Sequence, residues 1–419
     1  MTLASISEPM FGRPYSRTGR TGPHMSYGRF RTRPRLTTGR PKTMTKETRR
    51  FRRRTVLKTA GTVGIGTAVF GDAAAAGPSN GCDRVVNPDS NAPQHYDTIQ
   101  GAVDDATPGD RICVKPGSYD EQVVIETDNI TLSGSGNPRN VVVDGGSGIR
   151  ETVTVAGAAG VTVDAVTVEN TGGSGDSQES FGIRVVGESD DFALEDSVVT
   201  DVSEGARAAG LGIDAAPGPL PKYSPSEATI SGTEVHNCRI ENIYTTNSDP
   251  GGDYGSKTKA KGIANHGGVR GTTITRTTIT TIGDTGSGRN SSFGRGVTLT
   301  EDDNDVGPTD FEIRLCEFSD MDGTFGNPFD GAAIFVGEYS NFDDHVVEDN
   351  DILVAVENFP NGEPPQSGND VLNAPRNYWG ASNGPNITGG AGGDGSNVTK
   401  NIEFMPFRDR SVNNAGSNV

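Results

Sequence analysis

Residues 262–282 read GIANHGGVRGTTITRTTITTI, and within this stretch two kinds of short strand follow each other across a turn. Gly262-Ile263-Ala264 opens with a small residue and then an aliphatic one. Thr273 to Ile282 alternates Ile with Thr and Arg, the period of two expected of a strand with one buried face. The same pair recurs on both sides. The first kind returns as Gly182-Ile183-Arg184-Val185, Gly212-Ile213-Asp214, Gly296-Val297-Thr298-Leu299 and Ala333-Ile334-Phe335-Val336. The second returns as Val161 to Val166, Phe192 to Val198, Glu234 to Ile243, Phe311 to Phe318 and Val346 to Val354. Gly, Asn and Asp turns separate them at intervals too short for helical crossovers. A unit of about thirty residues with two or three strands cannot bury its apolar face alone, whereas a stack of such units can. A propeller needs four strands per blade and tight hairpins, which this repeat lacks. The pattern predicts an all-β chain wound as a parallel β-helix, each strand about 4.8 Å above its counterpart in the coil before.

The ends of the repeat fit a solenoid. Asp97/Thr98 can cap a short helix with Ile99, Ala102, Val103 and Ala106 on one face, which would plug the open N-terminal end of the stack. Asn377-Tyr378-Trp379-Gly380 to Gly384-Pro385 holds the only tryptophan, and residues 386–419 read as a loose Gly/Asn-rich tail.

The 419 residues carry 55 acids and 37 basic residues, with 32 % hydrophobic residues, which excludes a polytopic membrane protein and a coiled coil. The charge is divided. Residues 1–76 hold 16 Lys/Arg and 3 Asp/Glu; residues 77–419 hold 21 Lys/Arg and 52 Asp/Glu. So acidic a body excludes DNA or RNA as partner, because phosphate neutralisation needs clustered cations. In molar salt the Debye length is about 3 Å and the self-repulsion is screened, so the surface resembles that of an extreme halophile. Arg53-Arg54-Thr55-Val56-Leu57-Lys58, the Gly/Ala/Val run to Phe70 and Ala73 to Ala76 have the three parts of an export signal and resemble a twin-arginine leader. Residues 44–76 are therefore read as the signal, residues 1–43 as a dispensable or mis-assigned extension, and the β-helix domain as 77–385. We expect a soluble extracellular monomer with no membrane span. Asn129, Asn290, Asn386 and Asn397 begin glycosylation sequons.

Ile99-Gln100 through Ala106, Pro108-Gly109-Asp110, Val114-Lys115-Pro116-Gly117-Ser118-Tyr119-Asp120-Glu121 and Ile130-Thr131-Leu132-Ser133-Gly134 resemble the opening of right-handed parallel β-helix proteins of the pectin-lyase-like superfamily. The Asn-Tyr-Trp-Gly segment is similar to the final coil of haloarchaeal members. The resemblance covers most of residues 82–385. It implies a right-handed β-helix and leaves function open, since this superfamily hosts lyases, hydrolases, esterases, epimerases, adhesins and a copper-maturation factor. The later motifs of its methylesterases and polygalacturonases have no ordered match; Asn265-His266-Gly267-Gly268 precedes Asp302-Asp303 where a polygalacturonase would reverse them.

Aligning the second strand kind on Val166, Val198, Ile240, Ile279, Phe318 and Ile352 puts Asp164, Asp196, Cys238, Thr277, Cys316 and Asn350 in one column. Cys238 and Cys316 then lie two coils apart, roughly 9–10 Å, too far for a disulfide, and are expected to be buried thiols. Cys82 and Cys113 fall on neighbouring strands of the first coils; a disulfide between them is the expectation and free thiols the alternative.

Aligning the first kind makes a strip of Glu188, His266 with Asn265, Glu301 with Asp302, and Glu338 with Tyr339. There His266 can act as base, Asn265, Glu338, Tyr339 and Tyr254 can hold sugar rings and hydroxyls, and Glu301, Asp302, Asp303 and Asp305 can hold calcium. The plainer reading of these residues is an acidic, solvated turn surface. Lys257-Thr258-Lys259-Ala260-Lys261, with Arg270 beyond, is the strongest basic spot; Lys259, Lys261 and Arg270 can neutralise a uronate or take the proton beside it, or can be a solvated loop. These residues lead to a polysaccharide lyase acting on an acidic glycan. A non-catalytic glycan-binding or cell-surface β-helix is the second reading. A maturation factor for exported metalloenzymes is the third, with few His and Met to support copper handling.

Overall fold

Val153, Ile183, Leu211, Ile263, Val297 and Ile334 stand one above another in successive parallel strands, and all are fully buried. In the computed structural model this column lines the inside of a right-handed parallel β-helix. The structure describes residues 81–419 except 91, 93–94, 147, 172–178, 205–206, 216–228, 247–257, 284–292, 301–305, 323–330, 338–344, 359–371, 388–391 and 400–401. Three parallel sheets of 12, 8 and 10 strands form its walls, here sheets 1, 2 and 3. Each coil passes through them in turn: Thr162–Asp164, Thr167–Asn170 and Glu179–Val186 make one coil, and Ala193–Glu195, Val198–Glu204 and Arg207–Asp214 the next. A strand's backbone groups bond to the coils above and below, so the apolar interior contains few backbone groups in need of partners.

The corner from sheet 1 to sheet 2 is made by one residue in the left-handed region: Ala165, Asp196, Asn237, Arg276, Leu315, Asp349 and Arg376 have φ between 46° and 59°. The residue after each points inward, stacking Val166, Ser197, Cys238, Thr277, Cys316, Asn350 and Asn377, all fully buried. Asn350 Oδ1 accepts from Cys316 N at 2.8 Å, and Asn377 Oδ1 accepts from Asn350 N at 2.9 Å. These amides satisfy corner donors that no strand reaches. Asp164 and Asp196, which the sequence puts in this column, are outside it. The pairing of Val199 with Ile240 sets the register, and the adjacent Val198 is equally apolar, so alternation alone does not separate them. Cys238 and Cys316 are in the column, with Thr277 between them, and are free. Burial pushes both thiols up to about 12.

Sheet 3 carries a column of small residues, Gly182, Gly210, Gly262 and Gly296, one in each of its four long strands. A Cβ on Gly262 would come 2.7 Å from the carbonyl oxygen of Gly296 and 2.7 Å from the Ile279 side chain. Only a hydrogen fits between the next coil and the facing wall.

The N-terminal end is closed by the helix α1, Ile99–Asp104, whose Ile99, Ala102 and Val103 are buried on the core. Thr98 Oγ1 caps it by accepting from Gly101 N, and the Glu121 carboxylate accepts from Ile99 N and Gln100 N at 2.8 and 2.9 Å. A disulfide joins Cys82 and Cys113, with Cα atoms 5.7 Å apart, at the same end. Trp379 is buried at the other end. Beyond it the chain departs from the expected loose tail. Asn397–Val398 and Ile402–Glu403 extend sheets 3 and 1, and the last residues run back along the stack. There Val412 N donates to Asp351 Oδ1, Gly416 N to Leu315 O, Ser417 N to Thr278 Oγ1 and Asn418 N to Asn237 Oδ1, at 2.6, 2.8, 2.9 and 2.8 Å. Composition marks this segment as irregular but does not show that its backbone donors are spent on the coils. No helix among the described residues is long and apolar enough to cross a membrane.

Candidate functional site

Sheet 3 has the longest strands, and four of them, Glu179–Val186, Arg207–Asp214, Lys259–His266 and Phe293–Thr300, run eight residues each. Their outward residues line a groove of about 400 Å³. Its cationic end is made by two neighbouring columns. In one, Glu179, Arg207, Lys259 and Phe293 follow coil by coil; in the other, Phe181, Ala209, Lys261 and Arg295. Arg207 is exposed, Lys259 and Lys261 are half-buried, and Arg295 is buried with its guanidinium 3.4 Å from the centre of the Phe335 ring. Lys261 Nζ donates to Glu179 Oε1 at 2.9 Å. Burial would raise the Glu179 carboxyl, but Lys261, Arg207 and Arg184 outweigh it and hold Glu179 below its ordinary value. Lys259 moves the other way: burial, then the charges of Lys261, Arg207 and Arg295, bring its pKa down to about 8.

At the other end His266 Nδ1 lies 3.2 Å from Asp214 Oδ1, its coil neighbour. Arg184, only 2 % exposed, donates from Nη2 to Asp214 at 2.9 Å and from Nη1 to Glu151 at 2.8 Å. Burial raises the Asp214 carboxyl, while the His266 hydrogen bond and Arg184 pull it below its usual value. Glu151, Arg184, Asp214 and His266 thus form a chain across four coils. With the Nδ1 proton directed at Asp214, Nε2 is the ring nitrogen left for a substrate. Between the two ends Gly212 and Ala264 carry little or no side chain, and the Phe181 ring fills the space over Gly212, where a Cβ would be 2.4 Å from it.

The structure thus brings His266, Lys259 and Lys261 to one groove. Asn265 is not with them: it faces the core, fully buried, donating from Nδ2 to Thr298 O at 3.3 Å. The reason is the strand period, which turns residues 265 and 266 to opposite faces. Arg270 is exposed on the short strand Val269–Arg270, which pairs with Ile230–Ser231, and does not line the groove. Tyr254, Glu338, Tyr339, Glu301, Asp302, Asp303 and Asp305 lie outside the described residues. Among the described residues no three His, Cys, Asp or Glu side chains gather as a metal site. Glu188 is not opposite His266; that column runs Val186, Asp214, His266 and Thr300.

Sequence reasoning missed Asp214, Arg184, Glu179, Arg207 and Arg295. The available signal was Gly210, which shares its column with Gly182 and Gly262; aligning on Gly212 instead displaces Asp214 by two positions from His266.

No family model matches the chain, and no curated protein does. Among solved structures, pectate lyase Pel9A is similar with a TM-score of 0.45 at 12 % identity, over 78 % of this chain and 80 % of that one. Escherichia coli YbhC gives 0.40 at 14 %, over 83 % and 90 %. Pectin methylesterase PemA from Erwinia chrysanthemi gives 0.31 at 14 %, over 63 % and 92 %. At these scores the likeness carries no chemistry, and the fold rests on the hydrogen-bonded ladders themselves.

Proposed function

We propose that the groove binds an acidic polysaccharide and cleaves it by β-elimination beside a uronate. The observation that carries this reading is the crowding of Arg207, Lys259, Lys261 and Arg295 around one end of a groove, in a body with 52 acids and 21 basic residues. Elsewhere such a body sheds anions; here it concentrates cations where a carboxylate can enter. Neutralising the uronate makes the adjacent C5 proton more acidic. Lys259, with its pKa brought down to about 8, has an appreciable neutral fraction near that pH and takes the proton. The electron pair forms the C4=C5 bond, the C4–O bond breaks, the departing oxygen takes a proton from water, and Lys259 returns its proton to solvent. His266 and Asp214 orient the chain from the far end.

Export through the twin-arginine route, an extracellular setting in molar salt and a monomeric state belong to the same reading, supported by the Arg53-Arg54 leader and the acidic body. So does calcium at Glu301, Asp302, Asp303 and Asp305, an oxygen-rich set suited to that ion.

The test is ultraviolet absorbance of the conjugated C4=C5 product while the purified protein is incubated in molar salt, with and without a chelator, on uronate polysaccharides. A rise that is lost in Lys259→Met supports the reading, and loss on chelation supports the calcium part. Retention of the polysaccharide with no absorbance change would refute cleavage and leave a glycan-binding surface.

A further inference from the structure

The two ends of the groove differ in charge, and this difference addresses which acidic glycan it takes. Resting on the reading of the groove as an acidic-glycan site, we infer that it is shaped for a heteropolysaccharide in which a uronate adjoins a neutral sugar. The uronate sits against Arg207, Lys259, Lys261 and Arg295. Its neutral neighbour sits against Asp214, His266 and Thr298.

Five residues separate Lys261 from His266 along one strand, which at about 3.3 Å per residue is up to about 16 Å. That is longer than one sugar ring, so a bound chain meets both ends. At the far end the lining residues are Asp214, His266, Thr298 and Thr300, none of them a cation held against the groove like those at the first end. The guanidinium behind them is sealed: Arg184 is 2 % exposed, with Nη1 on Glu151 and Nη2 on Asp214. A second uronate placed there would meet the ionised Asp214. A neutral sugar would instead offer hydroxyls to Asp214 and to His266 Nε2. Thr298 also lines the groove at only 1 % exposure, and its Oγ1 has no hydrogen-bond partner among the described residues.

The experiment measures binding, not cleavage, by titration calorimetry of the full chain with oligosaccharides of equal length. Two pairs are used, each sharing its uronate: polygalacturonate against an alternating rhamnose–galacturonate polymer, and polyglucuronate against hyaluronan. The alternating member should bind about tenfold more tightly in at least one pair, since like-charge juxtaposition at Asp214 penalises the homopolymer. Placing a cation at the far end, by Thr300→Lys or independently His266→Lys, should close most of that gap by raising homopolymer affinity. Homopolymers bound as tightly as the alternating chains in both pairs, or a gap that neither lysine variant narrows, would overturn the inference and leave the acidic-glycan reading standing. No binding to any of the four would overturn both.

Discussion

Replacing Arg184 by methionine should destabilise the protein in a way that acid relieves. The guanidinium is buried and holds two carboxylates, Glu151 at 2.8 Å and Asp214 at 2.9 Å. Methionine fills most of the volume but leaves both carboxylates in a poorly hydrated site without their cation. Removing one partner of a buried ion pair costs about 3–5 kcal/mol. At about 2.1 cal/mol/K per residue, the roughly 340 residues from position 81 onward have an unfolding entropy of about 0.7 kcal/mol/K, so the loss corresponds to a Tm about 4–7 °C lower. In the wild type Asp214 is held below its usual pKa, so it contributes stability above the ordinary carboxylate range and loses it only as pH falls through the lowered value. In the variant burial acts without Arg184 to oppose it, the Asp214 pKa rises, and protonation removes the penalty at mild acidity. Calorimetric melting in molar salt at pH 7 and pH 4 is the assay. The difference between the two proteins should shrink at the lower pH, and adding Glu151→Gln and Asp214→Asn to the variant should recover most of the loss. A Tm change under about 1 °C at pH 7, or one equally large at pH 4, would refute the reasoning.

Three further outcomes follow from buried or crowded groups. If Lys259 is the base, kcat/KM for elimination rises with pH through about 8, and Arg207→Gln moves that limb upward by removing a repelling charge; a limb that stays in place would count against Lys259. His345 is buried beside Phe311, accepts from Phe311 N at 3.2 Å, and burial lowers its pKa to about 4. Its folded-state value lies below the unfolded 6.5, so it supports the native state fully above that pH and loses about 3 kcal/mol of support as pH falls toward 4; His345→Gln should flatten this part of the stability profile in urea titrations. Asn350→Ala strands Cys316 N and Ile313 O, both bonded to the Asn350 amide, and should cost about 2–4 kcal/mol in the same titrations.

The fold was legible because a solenoid writes its wall into every coil: Ile183, Ile263, Val297 and Ile334 repeat the same small-then-aliphatic opening. The site was legible only in part, for a reason that lies in the strand period. A slip of two positions keeps every side chain on its own face, so Gly210 and Gly212 are equally good anchors by alternation, yet only Gly210 sets Asp214 opposite His266. A slip of one at Val198-Val199 moved the corner column from Ser197 to Asp196. Lys259 and Lys261 stood out because cations are scarce in this chain. Arg184 did not, since nothing in Gly-Ile-Arg-Val tells an outward arginine in water from one sealed between two acids. The C-terminal segment was opaque because its order comes from hydrogen bonds to distant corners, not from an apolar pattern of its own.

That segment has a mechanical consequence. In a stack of coils each layer touches only its neighbours, so force applied at the last residue would ordinarily peel layers from the end one at a time. Here the final residues are fastened to Asp351, Leu315, Thr278 and Asn237, on four successive coils, with the chain running back along the stack. A pull on the C-terminus first loads these four attachments, close to the middle of the molecule, and the outermost layer feels tension only after they have released. An optical trap should record that release as a separate early event, absent when the chain is cut before Ser411.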